Sequence, residues 1–186
     1  MRAMGWAAAI GAVALAGAAD AQERSFETSA VIPAPAPVVW EALTTAAGWK
    51  RMGVPVVVGM DFRLGGLIET SYDPKAKAGD PGNIRNQVAA YIPGRMLALR
   101  NTQAPPDFPY PREFATTATV FEITPVDAGS TRVTATGVGY GQGPAYDWLL
   151  KAFEEGDAWS LAKLGESFGA KPPAAEVEAV TKTFKK

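Results

Sequence analysis

Residues 144–168 read PAYDWLLKAFEEGDAWSLAKLGESF, and the reading of this stretch decides the fold. At about 100° per residue, Ala145, Trp148, Leu149, Ala152, Phe153, Gly156, Trp159, Ser160 and Leu164 fall within one broad arc. Asp147, Lys151, Glu154, Asp157 and Ala158 fall opposite, and Lys163 is the one charge on the apolar side. The spacing predicts a long amphipathic helix with Pro144 in its first turn. So wide an aromatic stripe has to be covered, and the chain before it supplies strands to cover it.

Working back from the helix, Thr131–Tyr140 and Glu113–Pro125 pair around the Asp127–Ser130 turn. Phe121 and Ile123 share a face with Thr117 and Thr119, and Val133 and Ala135 share one on the partner strand. Gln103–Arg112 holds four prolines with Phe108 and Tyr110 between them, a stiff connection that also suits a cover or a contact. Ile84–Ile92 and Met96–Thr102 form a hairpin around Pro93-Gly94. Val54–Asp61 and Leu67–Tyr72 flank an Arg63-Leu64-Gly65-Gly66 turn, and 73–82 is a polar hairpin tip. Ser25–Ile32 is the first strand. After it, Pro37 opens a short helix through Val38, Val39, Ala42 and Leu43, and Ala46–Met52 forms a second. The expected class is α+β: a curved antiparallel sheet of about seven strands wrapped on the long C-terminal helix, with two short helices after strand one.

Four local stretches carry a family resemblance. Ile32-Pro33-Ala34-Pro35 with Val38-Val39-Trp40-Glu41-Ala42-Leu43-Thr44 resembles an opening "I-x-A-P-x-x-V-W-x-A-L-T". Asp61-Phe62-Arg63-Leu64-Gly65-Gly66 resembles a "D-x-R-x-G-G" turn, Pro93-Gly94-Arg95-Met96 a "P-P-R-x-L" hairpin, and Gly129-Ser130-Thr131-Arg132-Val133 a "G-G-T-R-V" turn. In this order they resemble the START/polyketide-cyclase superfamily (SRPBCC, helix-grip fold), in the branch of homologues of the heat-shock-protein ATPase activator. The resemblance implies a cavity between the last helix and the inner face of the sheet. It departs at Gly156 and Trp159, which are separated where the family often has adjacent Gly-Trp. The chaperone role that the branch name implies is cytosolic and driven by ATP, and it is not carried over to a chain with an export signal.

That signal is the N-terminus. Met1-Arg2 is a short positive region, residues 6–18 are an apolar run, and Ala19-Asp20-Ala21 is an A-x-A site. Residues 1–21 therefore read as a signal peptide cleaved after Ala21, with 22–170 the SRPBCC/START-like domain and 171–186 a charged tail. The run is shorter than the ~20 apolar residues a membrane span needs. No stable membrane span is expected after cleavage, and the mature protein is expected in the periplasm or secreted. The 186 residues make a substantial single core, with 47% hydrophobic and 20% charged residues. A net charge of −1 offers no nucleic-acid footprint. With no histidine and no cysteine, the chain excludes Cys/His zinc sites, a Ser-His-Asp triad, a cysteine nucleophile, disulfides and His- or Cys-ligated haem.

No metal, cofactor or catalytic residue is therefore assigned, and an enzyme is the less favoured reading. Met96, Ala98, Arg100 and Phe121 are candidate lining residues by the resemblance, with Trp148, Phe153, Gly156 and Trp159 from the helix. Along MLALR, Arg100 shares a face with Met96 and Ala98, expected inward. An inward arginine needs Glu69 or a ligand carboxylate or phosphate as partner; otherwise it reaches solvent at the strand end. Gly137, Gly139, Gly141 and Gly143 lack the G-x-G-x-x-G spacing and read as an exit into the helix. The expected function is binding of a small hydrophobic or amphipathic molecule. The rivals are a cyclase, dehydratase or hydrolase using a carboxylate or tyrosine with Arg100, and an envelope interaction module whose protein partner the sequence does not name.

Overall fold

The computed structural model describes residues 23–171. The expected leader at 1–21 and residues 172–186 of the expected tail lie outside them. The elements run β1 (Arg24–Ile32), α1 (Ala36–Thr44), α2 (Ala46–Arg51), β2 (Val56–Met60), β3 (Leu67–Ser71), β4 (Ile84–Ile92), β5 (Met96–Gln103), α3 (Pro111–Phe114), β6 (Ala118–Pro125), β7 (Thr131–Tyr140) and α4 (Pro144–Ser167). All seven strands join in one antiparallel sheet of order β1-β7-β6-β5-β4-β3-β2. β1 and β2 are its two edges, so α1 and α2 carry the chain from one edge to the other. The long helix α4 packs on β1 and β7. The α+β expectation, with two short helices after the first strand, is borne out.

Local chemistry explains the helical corner. Pro37 lies in the first turn of α1, where a missing N–H costs nothing. Thr45 breaks the helix in an extended conformation, and its hydroxyl caps α2 by accepting from Gly48 N at 3.2 Å. The buried Trp49 indole donates to the Leu43 carbonyl at 2.9 Å, tying α2 onto α1. One segment departs from the sequence reading. Glu113 and Phe114, expected to start a strand, close a helical turn over 111–114 instead, because Pro111 presets helical φ and Phe114 turns inward against Phe108 and Phe153.

The inner face of the sheet is set by residue size. In β5 it is Leu97 and Leu99 that are buried against Val88, Phe121 and α4, while Met96 and Ala98 are half-buried and Arg100 is exposed on the other face. The expected inward row of Met96, Ala98 and Arg100 is thus corrected by one residue. The Met96, Ala98 and Arg100 row ends in a charge, whereas the Leu97 and Leu99 row is wholly apolar. The bulkier leucines take the core, and a bulge in β4 between Val88 and Ala90 settles the pairing Val88↔Leu99.

Candidate functional site

Along α4 the apolar contacts fall into two groups. Leu161 and Leu164 join a core built with Ile32, Val39, Leu43, Leu97 and Phe121. Leu149 joins a second core with Phe26, Phe114 and Tyr140, flanked by Phe108, Trp148 and Phe153. Between them α4 presents Gly156, Asp157 and Ser160, all half-buried and belonging to neither group. The sheet changes character at the same level. Inward from Val88, Leu99 and Phe121, the next positions along their strands are Asn86, Asn101 and Thr119, and Thr117 follows Thr119.

Part of this polar layer satisfies itself. Asn86 Nδ2 donates to Asn101 Oδ1 at 2.6 Å, Asn101 Nδ2 to Thr117 Oγ1 at 2.7 Å, and Thr117 Oγ1 to the Phe114 carbonyl at 2.8 Å. The remainder is under-satisfied. Asp157 receives one long hydrogen bond, from Thr119 Oγ1 at 3.4 Å, and no cation pairs with it among the described residues. Burial pushes its carboxyl up to about 7, and the Thr119 bond only partly offsets this. Asp157 is half-buried overall, with its carboxyl desolvated.

Tyr140 is wholly buried, and its hydroxyl has no hydrogen-bond partner among the described residues. Its ring is held by Phe26 at 5.8 Å and Phe153 at 6.4 Å between centroids. Burial raises its phenol well above the ordinary value, with the nearby Asp157 charge adding to the effect. Tyr140 therefore stays a neutral donor at any ordinary pH. Asp157 is the correction to the helix reading, which put it on the solvent side. It stands four residues after Phe153 and four before Leu161, the row that faces the sheet.

The other sequence candidates are dispersed. Phe121 is buried and sits opposite Leu97. Phe153 stacks against Phe114 and Tyr140 below the polar layer. Trp148 is clasped by Phe108 and Tyr110, so the proline-rich connection lies on the N-terminal half of α4. Trp159 lies over Gly53, whose φ of 89° and missing side chain make room for the indole. Arg100 donates to Gln87 Oε1 at 3.1 Å on the outer face and does not meet Glu69.

Glu69 instead anchors a loop. Its Oε1 accepts from Gly79 N at 2.9 Å, Asn83 Nδ2 at 2.8 Å and Arg85 Nη2 at 3.1 Å. Burial alone would raise this carboxyl, but the bonds from Asn83, Gly79 and Arg85 outweigh it and hold it below its ordinary value. Glu69→Ala is expected to cost about 2 kcal/mol. Amide exchange at Gly79 and Asn83 should accelerate at least about tenfold, with core amides of β5 and β6 following only the global loss. Protection at Gly79 equal to wild type would show that the loop holds itself. The sign with pH follows from the lowered carboxyl. The contribution is full above its ordinary 4.5 and fades as pH falls through the lowered value.

Among the described residues no group of His, Cys, Asp or Glu side chains converges as a metal site, and no helix is long and apolar enough to cross a bilayer. What the geometry defines is a sheet gripping one long C-terminal helix across an inner face broken by a polar layer, a helix-grip fold. The chain belongs to the polyketide cyclase / dehydrase and lipid transport family, whose model matches residues 23–164.

Solved structures agree on the fold. The Aha1 dimer from Colwellia psychrerythraea superposes with a TM-score of 0.61 at 18% identity, covering 78% of this chain and 96% of that one. A protein from Mesorhizobium loti gives 0.59 at 19% identity over 77% and 95%. The di-domain ARO/CYC BexL, from the BE-7585A biosynthetic pathway, gives 0.57 at 18% over 77% of this chain and 45% of its own. At these identities the likeness is one of fold. No match was found among curated proteins.

Proposed function

We propose that the chain binds a small hydrophobic or amphipathic molecule between the inner face of the sheet and α4, and that it does so after export. The observation that carries the reading is the divided core. Two apolar groups grip the ends of α4, while Gly156, Asp157 and Ser160 between them stay half-buried beside an under-satisfied polar layer. Sites for small molecules are concave and mostly apolar, with a few converging polar groups. Family membership supports a ligand-binding fold, and the leader-like residues 1–21 support export.

The rival readings have less behind them. An enzyme built on Arg100 with Glu69 has both groups on the outer face, held by different partners. An interaction module using Trp148 or the proline-rich connection finds those surfaces occupied by each other.

The test is native mass spectrometry and solvent extraction of the mature chain, then thermal shift with acyl, aromatic and isoprenoid compounds. A bound species is expected, and at 100-fold excess over Kd it should stabilise the protein by about 2.7 kcal/mol. Gly156→Leu, folded by circular dichroism, should lose that shift, because Gly156 stands two turns after the buried Leu149 and a leucine there would compete with the ligand for the same face of α4. No bound species and no shift across the panel would count against the reading. Export is checked separately by N-terminal sequencing of the protein from the envelope fraction, with Gln22 expected first.

A further inference from the structure

We infer that Tyr140, Asp157 and Thr119 form a docking point for a neutral oxygen function, a ketone or a hydroxyl, on the molecule held between the sheet and α4. This rests on the binding reading above and names the chemistry of its polar end. The argument begins from two groups whose hydrogen-bonding capacity is left open at one place. The Tyr140 hydroxyl lies in the interior with no partner among the described residues, while its ring is fixed between Phe26 and Phe153. Leaving such a donor unpaired is costly, so it is a group that a bound acceptor would satisfy. Asp157 stands on α4 one turn after Phe153, whose ring packs on Tyr140, and among the described residues its carboxylate is met by Thr119 at 3.4 Å.

The neighbouring amides cannot take this role. Asn86, Asn101 and Thr117 are bonded to one another and to the Phe114 carbonyl. The charge balance then selects the ligand. Arg85 and Arg100 are on the outer face with Glu69 and Gln87, and Arg24 is bound to Asp147 and the Gly141 carbonyl at the start of α4, so none of these three pairs with Asp157. A carboxylate or phosphate would be set against Asp157 without a counter-charge. A ketone oxygen accepts from Tyr140 at no such penalty. A hydroxyl accepts from Tyr140 and donates to Asp157, using both open groups. Burial holds Asp157 partly protonated near neutral pH, which further favours neutral partners without converting it to a cation site.

The experiment uses the mature chain and one ring system with different polar ends: naphthalene, 2-acetonaphthone, 2-naphthol and 2-naphthoate, measured by isothermal titration at pH 7.5. The ketone and the naphthol are expected to bind about tenfold tighter than naphthalene, and the naphthoate no tighter than naphthalene. Tyr140→Phe should bring the ketone to the level of naphthalene and leave naphthalene unchanged. Asp157→Asn should improve the naphthoate. If naphthalene binds but all four probes bind alike, or Tyr140→Phe leaves the ketone-to-naphthalene ratio intact, the polar layer holds an ordered water only. The docking point is then overturned while the binding reading stands. Naphthoate binding tighter than the ketone overturns it as well. If no probe binds, the docking point is overturned, and the extraction and the acyl, aromatic and isoprenoid panel decide the binding reading separately. Should Asp157→Asn not fold, the wild-type ratios and Tyr140→Phe, which keeps the ring packing, still decide.

Discussion

Gly48→Ala is expected to destabilise the protein by at least about 3 kcal/mol, although it adds a single methyl group to a helical residue. A side chain at Gly48 would enter the backbone of Ala42, meeting its carbonyl oxygen, its carbonyl carbon and its Cα. Backbone atoms have no rotamer to escape into, so α1 and α2 must part. Parting them strains the Thr45 cap and the bond from Trp49 to the Leu43 carbonyl, and lifts Trp49 from the core it shares with Leu43 and Met52. The helix-propensity gain from replacing glycine, about 1 kcal/mol, is too small to offset this. In a domain of this size the loss corresponds to a fall in Tm on the order of 10 °C, read by calorimetry. A Tm within about 2 °C of wild type would mean that the α1–α2 corner is looser than its geometry implies.

The same corner shows what kind of information a sequence carries. The proline lead-in, the apolar spacing of Val39, Ala42 and Leu43, and the break before Ala46 were readable because each depends on neighbours in the chain. The last hairpin was readable for the same reason, since Phe121 and Ile123 alternate with more polar residues and only one face can be the core. β5 was not. Met96 and Ala98 blur its alternation, and the inward row is set by the volume of Leu97 and Leu99 in the core, with Arg100 marking the outer row. Arg100 was carried to the wrong face by that single step, and Glu69 with it lost its proposed partner.

Asp157 escaped for a different reason. The reading of the helical spacing puts it opposite the apolar arc and passes over the row it shares with Phe153 and Leu161, one turn to either side. Where residue type and phase disagree inside an otherwise consistent helix, a binding or strained site is the physical expectation. Tyr140 carried no such signal. That its hydroxyl is buried without a partner follows from the packing of β7, α3 and α4, which no local stretch encodes.

Asp157→Asn is expected to stabilise the protein at neutral to alkaline pH and to remove most of its pH dependence between 5 and 8. The folded-state carboxyl sits at about 7, against 3.8 for the unperturbed group. Between those values the folded chain binds the proton and the unfolded chain does not, so stability falls as pH rises. The loss begins above about 3.8, is complete once pH passes about 7, and is absent below the lower value. A gap of roughly three units at about 1.4 kcal/mol each sets an upper limit near 4 kcal/mol on the effect.

Glu69 and Asp127 have lowered carboxyls and act in the opposite sense, but they titrate at or below their ordinary values and so leave this window clear. The groups that meet Asp157 from the sheet are Thr119 on β6 and Tyr140 on β7, and neither changes charge in the range. Urea unfolding at pH 5 and pH 8 measures the difference directly. The wild type should lose stability between the two, and the variant should lose much less and exceed the wild type at pH 8. A wild-type curve flat across the interval would place Asp157 in water. A bound neutral ligand should move the wild-type decline to higher pH, because excluding the remaining solvent from Asp157 favours its protonated form further.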